Sequence, residues 1–212
     1  MKNNLRLLSG RKLQSPKSIL TRPTTSLVRE ALINLLSEDI KGSSWLDLCS
    51  GSGVIACEAL EKGALRVLAV EKNIKISKIC KSNIDLTSKG LEQENHWTVI
   101  CKDVEKFLRE GCKKYNYSLS ESNYQFDFIY FDPPYNSNLY LSVLEKLVIG
   151  GWTKESSLII CEHSKRLPFP APKGWIERDR RLYGSSGLIF LSPPKNSHDD
   201  TDSKLQQTSL KE

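Results

Sequence analysis

The sequence predicts a doubly wound α/β sheet, mostly parallel, with one antiparallel strand near the C-terminus. Three observations carry this. Strand and helix signals alternate from Trp45 to Cys161, and such alternation implies parallel strands joined by crossover helices. Phe126–Phe131 and Leu158–Cys161 are almost continuously apolar, as strands covered on both faces are. The last two strand-like runs, Trp175–Arg181 and Gly187–Leu191, lie close enough across Tyr183-Gly184-Ser185-Ser186 to form a hairpin, and that hairpin supplies the antiparallel strand.

The first element is a helix over Ser26–Leu36. Leu27, Ala31, Leu32 and Leu35 recur at helical spacing, and Thr24 or Thr25 can cap it. Gly42-Ser43-Ser44 breaks the pattern before a strand at Trp45–Cys49. A helix follows over Val54–Glu61 and stops near Gly63. Arg66–Val70 is a strand and Ile74–Leu86 a helix; Trp97–Cys101 is a strand and Val104–Arg109 a short helix. Gly111–Asn123 is polar, with Lys113, Lys114 and three serines, and reads as a surface loop. The apolar strand Phe126–Phe131, a helix over Leu139–Val148 and the strand Leu158–Cys161 complete the alternation. Pro193–Glu212 has too little apolar content to bury and is expected to be disordered. The boundaries that follow are an arm at 1–25, one domain at 26–192 and a tail at 193–212.

Composition narrows the class. The 212 residues carry 39% hydrophobic and 26% charged side chains, with ordinary counts of 12 Gly and 9 Pro, so collagen-like and wholly disordered chains are excluded. No apolar run approaches the ~18–20 residues of a membrane span. Leu5, Leu7 and Leu8 stand among Lys2, Arg6 and Gly10, which is no signal-peptide core, and a cytoplasmic protein is expected. Six cysteines form no C-x-x-C pair, and three histidines make no ligand spacing. Neither a disulfide framework nor a zinc site is expected.

The net charge is +6, and its location says more than its size. Lys2, Arg6, Arg11, Lys12, Lys17, Arg22 and Arg29 precede the first acid, Glu30. Residues 30–194 are charge-neutral, and 195–212 net −1. A cationic arm ahead of a neutral domain suits a phosphate backbone, which Lys and Arg bind by displacing counterions. It equally suits a solvated tail that aids solubility.

Ligands of open α/β sheets bind beyond the C-terminal ends of the strands. The first strand ends in Asp47-Leu48-Cys49-Ser50-Gly51-Ser52-Gly53, whose glycines let the turn approach a ligand closely. Gly51–Ala56 also fits the loose G-x-G-x-x-A dinucleotide pattern, so the loop alone leaves the cofactor open. Asp47 can attract a cationic ligand such as a sulfonium amino acid. Glu71, with Lys72 after it, ends the second strand and can accept the ribose hydroxyls of an adenosine-type cofactor. Asp103, after the third strand, can bond an adenine amino group or cap the next helix. The fourth strand runs into Asp132-Pro133-Pro134-Tyr135. Two prolines stiffen a loop that offers a carboxylate, a carbonyl on Pro133 and an aromatic ring. These parts suit methylation of an exocyclic amine, a poor nucleophile whose lone pair is delocalised into its ring. Two acceptors on its N–H groups aim the lone pair, Asp132 stabilises the developing charge, and Tyr135 stacks on the base.

At this point the chain resembles the class I S-adenosylmethionine-dependent methyltransferases of the amino-methylating D-P-P-Y type. More narrowly, it resembles the bacterial small-subunit rRNA guanine-N2 methyltransferases (RsmD-like). The likeness rests on Thr21-Arg22-Pro23-Thr24-Thr25 with Val28-Arg29-Glu30-Ala31-Leu32, on Leu46-Asp47-Leu48 with Gly51-Ser52-Gly53, on Glu58-Ala59-Leu60, on Glu71-Lys72-Asn73 and on Asp132–Tyr135. Glu162 and Tyr183-Gly184 also suit the family. The resemblance implies a Rossmann-like methyltransferase sheet and S-adenosyl-L-methionine as donor. The implied acceptor is a guanine of small-subunit ribosomal RNA, met in an assembling ribosomal particle by a monomeric enzyme. Carried over to matching positions, Asp47, Cys49, Ser50, Gly51 and Gly53 hold the methionine part. Glu71 and Lys72 lie at the ribose, Asp103 at the adenine, and Asp132, Pro133 and Tyr135 at the target base, with Asp132 also among the cofactor-binding residues. Arg6, Arg11, Lys12, Arg22 and Arg29 are the candidate RNA contacts. The arm is expected to be dispensable for cofactor binding.

Three other readings stand beside this one. Adenine-N6 methylation of DNA uses the same tetrad but calls for a separate recognition domain, for which the chain has no length. A nicotinamide-dependent dehydrogenase suits the glycine loop but not Asp132–Tyr135. A non-catalytic RNA-binding protein on the same fold leaves the intact tetrad unused.

Overall fold

The computed structural model describes residues 5–16, 25–115, 124–134, 137–167 and 170–195. In chain order the elements are α1 (Ser26–Leu36), β1 (Ser44–Leu48), α2 (Val54–Glu61), β2 (Arg66–Val70), α3 (Ile74–Ser88), β3 (His96–Ile100) and α4 (Val104–Arg109). They continue with a 3₁₀ turn at Cys112–Tyr115, then β4 (Phe126–Phe131), α5 (Leu139–Ile149), β5 (Thr153–Ser164), β6 (Ile176–Tyr183) and β7 (Ser186–Ser192). The seven strands form one sheet in the order β3-β2-β1-β4-β5-β7-β6. β1 to β5 are parallel, and β7 runs antiparallel to both β5 and β6. The α/β class and the antiparallel C-terminal strand are as the sequence predicts.

Apolar side chains on the two faces of the sheet make two cores. One joins Trp45, Phe128 and Tyr130 of the sheet to α1, α2 and α3; the other joins Leu46, Ile129 and Phe131 to α4, α5 and the 3₁₀ turn. Alternation along each strand sends neighbours to opposite cores, so β1 and β4 are apolar apart from Asp47 at the site and the bonded pair Ser44 and Asp127 at the other end of the strands. Thr25 caps α1, accepting from the Val28 N–H at 3.3 Å; Thr24 lies outside the described residues. No helix among the described residues is long and apolar enough to cross a membrane. All six cysteines are free thiols.

Three expectations about organisation need revision. Residues 5–13 are no free arm: Leu7 N–H and Leu13 N–H donate to Arg11 O and Leu5 O, both at 2.9 Å, around an antiparallel bridge between Arg6 and Lys12. This small hairpin buries Leu7 and Leu13 in the α1–α3 core. The apolar content that pins it is only two leucines, which is why it reads as polar sequence. The expected surface loop at Gly111–Asn123 begins with the 3₁₀ turn, whose Tyr115 packs on Phe107 at 4.7 Å between ring centres; 116–123 lie outside the described residues. β5 begins at Thr153, earlier than its apolar part, because a register shift between Phe126 and Phe128 admits the polar stretch Lys154–Ser157. Of the tail, 196–212 lie outside the described residues.

β2 and β3 lie to one side of β1, and β4 and β5 to the other. That reversal of strand order makes the crevice above the ends of β1 and β4 the place for a ligand.

Candidate active site

Asp47 sits in β1 and is 2% exposed. The Ala56 N–H in the first turn of α2 bonds its carboxylate, yet burial dominates, with the Glu71 charge adding to it, and its pKa rises to about 8. One of its oxygens, Oδ2, is sealed from solvent and has no hydrogen-bond partner. A buried acceptor with nothing to accept from is costly unless a ligand meets it.

The loop after Asp47 turns on three left-handed residues: Cys49 (φ 61°), Gly51 (φ 53°) and Gly53 (φ 74°). A Cβ on Gly51 would project into open space, whereas one on Gly53 would lie 2.6 Å from Cys80 Sγ. The loop is thus pressed against α3 at one end and open at the other. Ser50 N–H donates to Val70 O at 2.9 Å and Gly53 N–H to Ser50 O at 2.8 Å. Ser50 Oγ lies 3.5 Å from Cys80 Sγ.

Glu71 straps this loop to β2. Its Oε2 accepts from Gly51 N–H at 3.0 Å and its Oε1 from Asn73 N–H at 2.8 Å. A carboxylate has about four acceptor positions, so two remain for ribose hydroxyls. The Lys72 side chain is exposed beside it. Asp103 caps α4, its Oδ1 accepting from Glu105 and Lys106 N–H, each at 3.2 Å. Of the two roles left open by the sequence the cap is the one seen, and Oδ2 remains for an adenine amino group.

β4 delivers Asp132, half-buried, then Pro133, buried, and Pro134, exposed. Asp132 N–H reaches back to Leu48 O at 3.5 Å, and Ser137 N–H donates to Pro134 O at 2.8 Å. Tyr135 lies outside the described residues. Burial pushes the Cys49 thiol up strongly, and the carboxylates of Glu71, Asp132 and Asp47 add to it. Acids from the ends of β1, β2 and β4 therefore all act on the charge of one residue of the loop. Next to Asp132, on β5, Glu162 is 2% exposed; its Oε2 accepts from the Tyr130 hydroxyl at 2.7 Å and its carbonyl from the Tyr140 hydroxyl at 2.8 Å.

The candidate RNA contacts divide. Arg6 and Lys12 are exposed on the hairpin. Arg11 is partly taken up by Glu61, Nε to Oε1 at 2.9 Å. Arg29 leaves the set: it is 6% exposed, and its Nη1 meets Glu58 Oε1 at 3.0 Å and Arg6 O at 2.7 Å. Its helical position turns it into the core, so it holds the hairpin instead of presenting charge. Arg22 lies outside the described residues.

Sequence reasoning missed Asn83, which is fully buried on α3 and donates to Ser52 O in the glycine loop at 2.9 Å. A signal existed: Asn83 falls in the stripe Ile76, Cys80, Ile84, Thr87, the buried face of α3.

A family model described as Conserved hypothetical protein 95 matches residues 6–192. The chain belongs to this family. A relative from Haemophilus influenzae, Ribosomal RNA small subunit methyltransferase D, is 31% identical over 169 residues, covering 80% of this chain and 81% of its own. The Escherichia coli protein of the same name is 26% identical over 194 residues, 91% of this chain and 90% of its own. Among solved structures, the Escherichia coli chain yhhF superposes with a TM-score of 0.71 at 24% identity, over 88% of this chain and 94% of that one. That likeness is one of fold. The family members named as methyltransferases place this chain among methyltransferases, and the site's chemistry fits. The open side of Gly51, with Asp47, Glu71 and Asp132 at the ends of neighbouring strands, suits a cationic donor that carries a ribose.

Proposed function

We propose that the protein transfers a methyl group from S-adenosyl-L-methionine to the exocyclic N2 amine of a guanine in small-subunit ribosomal RNA. The observation that carries this is the parallel pairing of β1 with β4, which sets Leu48 beside Phe131 and Asp132 N–H 3.5 Å from Leu48 O. It brings the amine-binding loop of β4 against the cofactor loop of β1. The names of the relatives support the choice of acceptor.

When bound, S-adenosylmethionine supplies an electrophilic methyl on a positively charged sulfur. The residues of the chain do the rest. Asp47 and the 49–53 loop hold the amino-acid end, Glu71 with Lys72 beside it the ribose, and Asp103 the adenine. Asp132 and the Pro133 carbonyl accept the two N–H groups of the target amine, turning its lone pair toward the methyl carbon. Held there, the cofactor would supply its methyl group to the amine nitrogen, and its sulfur would keep the electron pair of the C–S bond. Asp132 stabilises the positive charge on nitrogen until a proton leaves to water. Rate comes mainly from this positioning, and the base must leave its stack to reach Asp132. Tyr135 stacks on the extruded base. Arg6 and Lys12, with Arg11 and Arg22, engage the RNA backbone. The enzyme acts as a monomer in the cytoplasm, on an assembling small-subunit particle.

Labelled S-adenosylmethionine offered with deproteinised small-subunit RNA, and separately with unmethylated particles, tests the reading. N2-methylguanosine is expected, in higher yield on particles. N6-methyladenosine, or no transfer to either, overturns it.

A further inference from the structure

Asn83 joins two segments that are far apart in sequence. Its Nδ2 donates to Ser52 O at 2.9 Å and to Gln14 O at 3.0 Å, and its Oδ1 accepts from Gln14 N–H at 2.8 Å. One fully buried amide therefore holds a carbonyl of the glycine loop and both backbone groups of Gln14. Gln14 directly follows the hairpin and its buried Leu13, and the Gln14 side chain donates to Ser82 Oγ at 3.0 Å. The other end of the hairpin is held by α2, the helix that the loop begins: Leu8 N–H donates to Glu58 Oε1 at 3.0 Å.

We infer that Asn83 is a positioning residue for the cofactor loop, and that the N-terminal hairpin is, through it, part of the scaffold of the cofactor site. The two Gln14 bonds fix which way the Asn83 amide points. That orientation fixes the Ser52 carbonyl, and Ser52 lies between the two left-handed glycines Gly51 and Gly53. Without Gln14, the amide loses two of its three partners and can turn to satisfy itself elsewhere. The loop then gains conformations that a bound cofactor must remove, and affinity falls. Sequence alone makes the arm irrelevant to the cofactor; the buried amide makes it a requirement. The inference rests on reading the 47–53 loop as the cofactor loop.

The test is calorimetric titration of S-adenosylhomocysteine into the full-length chain, with KM for S-adenosylmethionine and kcat measured beside it. Asn83→Ala removes all three bonds, of which one, to Ser52 O, holds the loop; loss of that one buried hydrogen bond is expected to weaken binding about tenfold. Gln14→Pro deletes the N–H that Asn83 Oδ1 accepts together with the side-chain bond to Ser82 Oγ; it is expected to weaken binding about fivefold, while Gln14→Ala, which loses only the side-chain bond, binds as the parent does. In both Asn83→Ala and Gln14→Pro, KM for the cofactor rises while kcat at saturating cofactor stays within about twofold, a split that general loss of structure does not give. The double variant binds no more weakly than Asn83→Ala, because both changes act through one amide. If Asn83→Ala does not fold, Gln14→Pro alone decides. Affinity within twofold of the parent in both variants overturns the inference while the cofactor reading stands. A parent chain that does not bind S-adenosylhomocysteine removes the reading itself, and the inference with it.

Discussion

Arg29 Nη1 lies 3.0 Å from Glu58 Oε1, with the two side chains 7% and 1% exposed. The same guanidinium nitrogen donates to Arg6 O and the same carboxylate oxygen accepts from Leu8 N–H. Burial raises the pKa of Glu58, while Leu8 N–H and Arg29 oppose the rise. Removing one partner leaves the other charged and buried. Arg29→Ala is expected to cost about 3–5 kcal/mol of stability, and the double change to Arg29→Met and Glu58→Leu much less. Urea unfolding of the single and double variants measures the difference. A loss under about 1 kcal/mol for Arg29→Ala would show the pair to be hydrated in solution.

On the proposed mechanism the main task of Asp132 is to act on the amine. Asp132→Ala is expected to keep S-adenosylhomocysteine affinity within a few-fold and to lower methyl transfer by about 10³-fold or more, in the range of losing an electrostatic stabiliser. Single-turnover transfer to RNA gives the rate. Normal turnover would eliminate the assigned mechanism.

With Asp47 at the cofactor's amino-acid end as proposed, cofactor binding is expected to depend on pH. Its folded pKa of about 8 lies above the ordinary 3.8, so the folded chain holds a proton that the unfolded chain releases. Its contribution to stability is complete below the unfolded value and is lost as pH rises through about 8. A cationic ligand favours the carboxylate, so S-adenosylmethionine binding should release close to one proton at pH 7 and tighten until about pH 8. Titrations in two buffers of different ionisation heat count that proton. Asp47→Asn should flatten the profile; a flat profile in the parent would contradict the role.

Gly53 is constrained twice, by its φ of 74° and by Cys80 Sγ at 2.6 Å from any Cβ. Gly53→Ala is expected to lose about 1–3 kcal/mol and much of the cofactor affinity. Adding Cys80→Ala relieves the contact and leaves the dihedral cost, so about half should return. Complete recovery would make the strain purely steric.

The hairpin charges predict a salt effect. Replacing both Arg6 and Lys12 with Ala should lower the slope of log K for RNA against log salt by roughly 1.5, at ~0.7–0.9 per phosphate contact. An unchanged slope places the backbone contacts elsewhere.

Most of the fold and the strand-end acids were legible because each announces itself locally. α1, α2, β2, α4 and β4 have the predicted limits, each set by an apolar period and a cap or glycine. Asp47, Glu71 and Asp132 stand where apolar strands stop. What could not be read was pairing across distance. Arg29 looks like its neighbours in a basic segment until Glu58 comes to meet it, and Asn83 falls on the buried stripe of α3 without any sign that Gln14 and Ser52 are its partners. The first part of β5 is polar because a register shift lets Lys154–Ser157 through, and no alternation records that shift.

The lane between β5 and β6 is filled by β7, which among the described strands is the last to leave the ribosome. Until Ser192 has emerged, Ile159–Ser164 has one edge bare, and the exposed backbone belongs to an apolar strand. Such an edge is a template for pairing with another chain. Synthesis at ~5–20 residues per second spans the Ser164–Ser192 interval in a few seconds. During that interval the nascent chain is most open to aggregation, and the hairpin that closes the sheet also ends the hazard.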